Sequence, residues 1–357
     1  MAYTTIDKPS DYFNTKLYTG TGATHNVTGV GFQPDFTWIN NRTGTYATTI
    51  FDAVRGATKF LEPAGTAAEQ TYADTLTSFD SDGFTLGADS SSFCNRGSAP
   101  NSYVAWNWLG ANGTASNTDG SITSNVSANT TSGFSIVSFT GTGSDGATVG
   151  HGLGATPAMI IIKNRTDTAT AFWCVYHQKS FVSQSDPGVL YLNDTATRSA
   201  DTNVFGLSTV TIDSDVFSLG NYNGSNGSSD NMIAYCFAEK KGFSKAFSYT
   251  GNGSADGSFC YLGFKPSFIL CRDPNNLENW FMFDNKRPGY NVNKNLLYAN
   301  DTATETTSGA NQIDLLSNGF KMRATNNGMN RSGGTFIGFA FAEEPFVTST
   351  GIPATAR

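Results

Sequence analysis

One series of landmarks recurs three times along this chain, always in the same order, and a repeat of that length calls for a fold built from copies of one unit. Each copy opens on a Gly-rich turn that runs into a Gly-Phe or Gly-Leu step with a proline shortly after it: "YTGTGATHNVTGVGFQPDFTWINNR" from Tyr18, "FTGTGSDGATVGHGLGATPAMIIIKNR" from Phe139 and "YTGNGSADGSFCYLGFKPSFILCRD" from Tyr249. Each closes on an aromatic run: "YVAWNWLG" at 103–110, "MIAYCFAE" at 232–239 and "FIGFAFAE" at 336–343. A shorter echo stands just before each closing, "DGFTLG" at 82–87, "DVFSLG" at 215–220 and "NGFKM" at 318–322.

Pro34, Pro157 and Pro266 mark the three openings, and the intervals between them are long enough for each copy to hold its own core. The expected organisation is an N-terminal arm at 1–10, a first unit at 11–109, a Gly/Asn/Ser/Thr-rich flexible linker or surface excursion at 110–132, a second unit at 133–240, a third at 242–343 and a C-terminal docking tail at 344–357. The connection "EKKG" at 239–242 is very short. It predicts that units two and three pack together while unit one keeps more freedom.

With 27 Phe, 14 Tyr and 5 Trp against only 14% charged residues, and with 38 Gly in the turns, the composition is that of short strands joined by tight turns. Runs such as "MIIIKNR", "SFILCRD" and "NWFMFDN" are too short and too β-branched or aromatic for independent helices. The predicted fold is all-β: three tandem homologous antiparallel β-sandwich modules, because two facing sheets bury half-apolar strands most simply. Proline has no N–H to donate, so each opening proline is expected at the start of a strand. The segment 66–76, with Thr66 as a cap and Glu69 three residues later, reads either as a short helix or as a loop with one turn.

A net charge of −7 without a basic run argues against nucleic acid, and no apolar stretch near 20 residues predicts membrane insertion or a secretion signal. Five cysteines without close pairing or metal-like spacing predict buried or half-buried free thiols. Catalytic chemistry has few candidates. The three histidines, His25, His151 and His177, belong to no repeated site, and no nucleophile elbow, zinc-protease or phosphate-loop motif occurs. Paired aspartates at Asp80/Asp82 and Asp213/Asp215 read as Asx-type turns, a calcium site needing six or seven converging oxygens. No metal, cofactor or enzymatic activity is expected. The remaining functional clue is aromatic: Trp38, Tyr46, Trp173, Tyr176, Trp280 and Tyr290 are candidates for glycan stacking or subunit contact.

The long repeated strings, "GFQPDFTWINNR", "GHGLGATPAMIIIKNR", "AYCFAEKKGFSKAFSYTGNGSADG" and "FIGFAFAEEPF" among them, resemble the repeated β-module of structural proteins of tailed bacteriophages, especially those of marine hosts. The resemblance covers roughly residues 11–346. It implies a virion component on the outer surface of the particle, on tail or head, assembled with other virion proteins in the host cytoplasm. The expected role is a tail-associated fibre or spike component, homo-oligomeric in the manner of a trimer, that contacts a host-surface glycan. The alternatives are a head-bound capsid decoration or head fibre and, more remotely, an enzyme that degrades envelope polysaccharide. The resemblance carries no catalytic residues with it.

Overall fold

The computed structural model describes residues 3–97, 101–167, 171–207 and 209–355. A one-turn 3-10 helix, Pro9–Asp11, precedes a first group of nine strands: β1 (Phe13–Thr19), β2 (His25–Thr28), β3 (Phe36–Asn41), β4 (Thr49–Asp52), β5 (Lys59–Leu61), β6 (Gln70–Thr71), β7 (Leu76–Asp80), β8 (Gly83–Leu86) and β9 (Ser102–Trp108). Unit two holds β10 (Ala115–Asn117), β11 (Ser124–Asn129), β12 (Phe134–Thr140), β13 (Ala147–Gly150), β14 (Pro157–Asn164), β15 (Cys174–His177), β16 (Leu190–Tyr191), β17 (Val216–Leu219) and β18 (Asn231–Ala238). Unit three holds β19 (Ser244–Thr250), β20 (Phe259–Tyr261), β21 (Phe264–Arg272), β22 (Phe281–Asp284), β23 (Leu297–Tyr298), β24 (Ile313–Leu316), β25 (Gly319–Met322) and β26 (Thr335–Pro345). Two single-turn helices, α1 (Asn223–Asn226) and α2 (Asn327–Asn330), precede the last strands of units two and three.

The fold is all-β, and within each group a large antiparallel sheet faces a small one. The large sheets run β1-β9-β3-β4-β5-β6, β10-β11-β12-β18-β14-β15-β16 and β19-β26-β21-β22-β23; the small ones are β2-β8-β7, β13-β17 and β20-β25-β24. The register is the same in each large sheet. Phe36 lies opposite Trp108, Met159 opposite Phe237 and Phe268 opposite Phe341. Of the opening prolines only Pro157 starts a strand, β14; Pro34 lies two residues ahead of β3, and Pro266 sits inside β21, where the register with β26 shifts at a bulge that tolerates the missing donor.

The repeated Gly-rich turn has a repeated cause. Gly22, Gly143 and Gly253 take φ of 64°, 68° and 71°, a left-handed geometry that favours glycine. Their N–H groups donate to the carbonyls of Asn95, Asn226 and Asn330 at 2.8, 2.8 and 2.7 Å. Each of these asparagines is fully buried and accepts, through Oδ1, the N–H of Thr21, Thr142 or Asn252. Each also donates through Nδ2 to Gly87, Gly220 or Ala324 at the end of the echo strand. One side chain thus ties the opening turn to the small sheet, with its polar atoms paired as burial demands.

The central strands of the large sheets are buried on both faces, which a sandwich alone does not produce. One face packs on the small sheet of the same unit; the other meets the corresponding faces of the other two units. Around this shared axis, Trp108, Phe237 and Phe341 occupy equivalent positions. Their ring centroids lie 5.4 Å (Trp108–Phe341), 5.9 Å (Phe237–Phe341) and 6.4 Å (Trp108–Phe237) apart. Trp38, Ile161 and Leu270, again equivalent, belong to the same cluster. The void left among them is about 10 Å³ and lined by apolar residues, too small and too dry to hold a water.

Three sequence expectations change here. The passage 110–132 carries β10 and β11, and β11 pairs along its whole length with β12; its alternating residues Ile122, Ser124 and Val126 are buried. Unit one is held by both neighbours, because the axis and the polar contacts described below close a ring. The segment 66–76 is no helix: it forms β6 and the start of β7, and it is drawn onto unit two by Lys163 Nζ, which donates to Thr66 O at 3.0 Å. At the axis, Phe341→Ala removes a side chain that touches all three units. We expect it to lower stability by about 3–5 kcal/mol, read as a lower denaturant midpoint with an unchanged slope in equilibrium unfolding.

Candidate functional site

The side chains that sequence reasoning marks as candidates divide sharply by burial. Trp38 (3% exposed), Trp173 (0%), Tyr176 (8%) and Trp280 (0%) lie inside the protein. Trp38 packs at the axis, its ring 6.3 Å from that of Trp106. Trp173 and Trp280 hold equivalent positions just before β15 and β22, and each reaches into the preceding unit: Trp173 Nε1 donates to Glu62 O at 3.1 Å and Trp280 Nε1 to Tyr191 O at 2.9 Å. Tyr176 fills the sandwich core of unit two beside Phe205 and Phe181. None of these four presents a ring to solvent, so the glycan-stacking expectation is corrected for them. Their burial follows from sheets that are covered on both faces. Tyr46 is half-buried beneath the Arg96 guanidinium, 4.8 Å from its ring centre. Tyr290 is 72% exposed.

Several titratable groups in the interior stand at the joints between units. At the joint of units one and two, Asp52 is paired with Arg55 and accepts the hydroxyl of Tyr235 of unit two at 2.7 Å. Glu69 of unit one receives Arg165 of unit two through Nε at 2.8 Å and Nη2 at 2.9 Å, and Arg55 at 3.3 Å. The joint of units three and one repeats the pattern. Asp284 is paired with Arg287 at 2.6 Å and accepts Trp106 Nε1 of unit one at 3.1 Å, while Glu305 receives Arg42 of unit one at 3.0 and 2.9 Å. At the joint of units two and three His177 takes the place of the aspartate, its Nε2 lying 3.0 Å from Gly338 O. There Arg272 spreads over the carbonyls of Asp194, Thr195 and Ala196 at 2.6–3.2 Å, its guanidinium 5.1 Å from the ring centre of Trp280.

Local electrostatics agree with structural duty. Burial raises the Glu69 and Glu305 carboxyls, but the hydrogen bonds and charges of their arginines outweigh it and hold both below the usual glutamate range. Burial pushes Lys163 down to about 8, and its ammonium is shared between Thr66 O and Ala171 O. It pushes Arg272 down to about 10. His177 is brought to about 4 by burial. Its partners define a neutral ring: Nε2–H donates to Gly338 O, and Nδ1 accepts the Lys179 N–H at 3.1 Å. Burial lowers His151 too, whose Nδ1 accepts Leu153 N–H and whose Nε2 faces Asp213 O.

The paired aspartates close turns. Asp82 accepts the N–H groups of Gly29 and Gly31 at 3.0 and 2.7 Å, and Asp213 those of Asp215 and Val216, both at 2.9 Å. Asp80 accepts the hydroxyls of Ser78 and Thr85 at 2.8 and 2.6 Å. Among the described residues no group of three His, Cys, Asp or Glu side chains is placed to hold a metal ion, and no helix is long and apolar enough to cross a membrane. All five cysteines are buried free thiols.

The family described as a domain of unknown function (DUF7483) matches residues 8–345. The chain belongs to this family. No curated protein and no solved structure matches it. The matched span takes in all three sheet pairs and stops where β26 ends, which is the part of the molecule that closes round the axis.

Two buried histidines, His177 and His151, set the acid behaviour. The folded pKa of His177 lies below its unfolded value of about 6.5, so its contribution is complete above pH 6.5 and lost as the pH falls toward 4. The depressed glutamates add a second loss only below about pH 4.5, where the unfolded chain binds their protons. Unfolding measured across pH 7 to 4 should show a fall of about 3 kcal/mol from His177, and the His177→Gln variant should lose most of that slope while keeping the decline below pH 4.5.

Proposed function

We propose that the chain is a non-enzymatic structural component of a tailed bacteriophage particle, carried on its outer surface as part of a tail-associated fibre or spike that contributes to host attachment. The observation that carries this reading is closure. Three sheet pairs surround one dry aromatic axis, and buried ion pairs stand at two of the joints between them. A block built this way is stiff and has its buried acids and histidines tied into structure, which suits a particle part better than a catalyst. Three units round one axis also give a single chain the symmetry that trimeric appendages obtain from three.

The resemblance of the repeated strings supports the particle assignment. On this reading the partners are other virion proteins, and a host-surface glycan is met by exposed loops such as that of Tyr290. Several weak contacts acting together suffice for attachment, because later contacts form at high effective concentration. Both terminal segments lie against unit three and each other: Tyr3 Oη donates to Gly263 O at 2.6 Å and Ser349 N–H to Asp7 at 2.6 Å. They therefore offer one shared docking face rather than two separate ones.

Gold particles directed at a C-terminal tag on intact virions locate the protein by electron microscopy. Label at the tail tip or collar is expected. Label spread over the head would overturn the tail assignment in favour of shell decoration, and virions without label would overturn the particle assignment itself.

A further inference from the structure

The three units differ at the side of the sandwich where the first strand of the large sheet lies beside the first strand of the small sheet. In unit two that side is covered. The segment leading into β11 crosses the small sheet, with Ile122 N–H donating to Thr148 O at 2.9 Å and Ser124 Oγ to Gly150 O at 2.8 Å, and β11 then pairs with β12. In unit one the two edges are tied directly by Asn14 Nδ2 donating to Val30 O at 2.8 Å. In unit three no strand covers this side, and only side chains bridge it: Lys245 Nζ donates to Tyr261 O at 3.0 Å and Ser258 Oγ to Thr250 O. A groove of about 560 Å³ runs between β19 and β20, both at the edges of their sheets, and Lys179, Lys245, Phe247, Ser248, Phe259 and Tyr261 are among the residues lining it.

The open side is the counterpart of the covered one, residue for residue. Phe259 and Tyr261 stand where Thr148 and Gly150 take the covering segment in unit two, and they are 46% and 50% exposed. Along β19 the N–H of Ala246 turns outward, to the Glu239 carboxylate at 3.0 Å, and by the period of two the main chain of Ser248 turns outward with it. Ser248 corresponds to Ser138, which lies opposite Asn125 of β11. Side chains hold these outward groups, Glu239 the Ala246 N–H and Cys260 Sγ the Ser248 carbonyl at 3.9 Å, and an edge held only so, flanked by exposed aromatics, is a template for an added strand. Unit three follows unit two through residues 239–242, so the described residues hold no counterpart of β11 ahead of β19.

We propose that the groove of unit three binds an extended strand from a separate polypeptide, antiparallel to β19, as β11 lies on β12. The covering segment of unit two describes the guest: small or β-branched side chains at alternate positions facing inward, as Ile122, Ser124 and Val126 do. Charge describes its end. A second hollow of about 370 Å³ continues from Lys245 and Tyr261 past Lys240 and Lys241, so with Lys179 four lysines gather there in a chain of net charge −7. In the orientation of β11 this is the C-terminal side of the guest, because Lys245 corresponds to Ser135, which faces Ala128. The guest is therefore acidic at its C-terminal end.

The test uses the full chain and a synthetic peptide that copies residues 120–130 with Asn129→Asp and Thr130→Asp. Amide exchange followed by mass spectrometry at millimolar peptide should slow about tenfold in 244–250 and 258–261 and nowhere else. Ser248→Pro removes the outward donor while sparing the ladder to β26, so it should abolish the protection at an unchanged melting temperature. A Lys179→Glu, Lys241→Glu double variant should weaken it independently. Unchanged exchange in the wild-type protein, or protection that survives in both variants, overturns the proposal. Protection that appears without peptide as the protein is concentrated would overturn it differently, by making a second copy of this chain the occupant.

Discussion

Three aromatic rings, Trp108, Phe237 and Phe341, meet at the centre of this protein, one from each unit, and the remainder of the architecture depends on their contact. Each comes from the closing strand of its unit and lies opposite the strand that follows the opening turn. Burying them requires the large sheet to turn one face away from its own sandwich core and toward the axis. Sheets covered on both faces follow, and so do the nearly continuous apolar runs of their central strands. A unit removed from the ring would expose that face to water, so the units share a central core in addition to the sandwich cores of their own.

The joints around the axis add direction to this packing. Unit one reaches unit two through Asp52 and Glu69, unit two reaches unit three through His177 and the carbonyls that hold Arg272, and unit three reaches unit one through Asp284 and Glu305. The contacts run head to tail and close after three steps, as a cyclic assembly does. Buried ion pairs of this kind are weak evidence for added stability, since desolvation offsets much of their attraction, but an unpaired member costs several kcal/mol (about 3–5). Their role here is to define which face meets which. The third joint is built differently, with a neutral histidine in place of an aspartate, and it gives the ring a sensitivity to mild acid that the other two lack.

Much of this was legible in the residues, and the rest was hidden for identifiable reasons. The openings, echoes and closings mark strands that the structure contains, and the Thr-Gly-x-Gly turn recurs because Gly22, Gly143 and Gly253 all need a left-handed backbone. The asparagines that hold those turns, Asn95, Asn226 and Asn330, do not stand out in a chain rich in asparagine, although their equal placement before each closing strand is a usable signal. Trp38, Trp173, Tyr176 and Trp280 are buried against expectation because a strand pattern does not say what covers its second face. Runs such as "YVAWNWLG" and "MIAYCFAE", apolar at nearly every position, already required covering on both sides. The pairs Glu69–Arg165 and Arg42–Glu305 join residues far apart in sequence, and only the closed ring brings them together. The passage 110–132 reads as a linker from its composition, yet β11 is held by backbone pairing, which small polar side chains do not oppose.

The tryptophans are placed to test whether the three units are one folding entity. Trp38, Trp106 and Trp108 report on unit one, Trp173 on unit two and its joint to unit one, and Trp280 on unit three and its joint to unit two. In protein labelled with fluorotryptophan, equilibrium unfolding followed by fluorine NMR resolves these sites individually. A shared aromatic axis predicts that all five native resonances vanish together at one denaturant midpoint. Separate midpoints for the Trp173, Trp280 and unit-one signals would contradict it and return the protein to three sandwiches that stand alone.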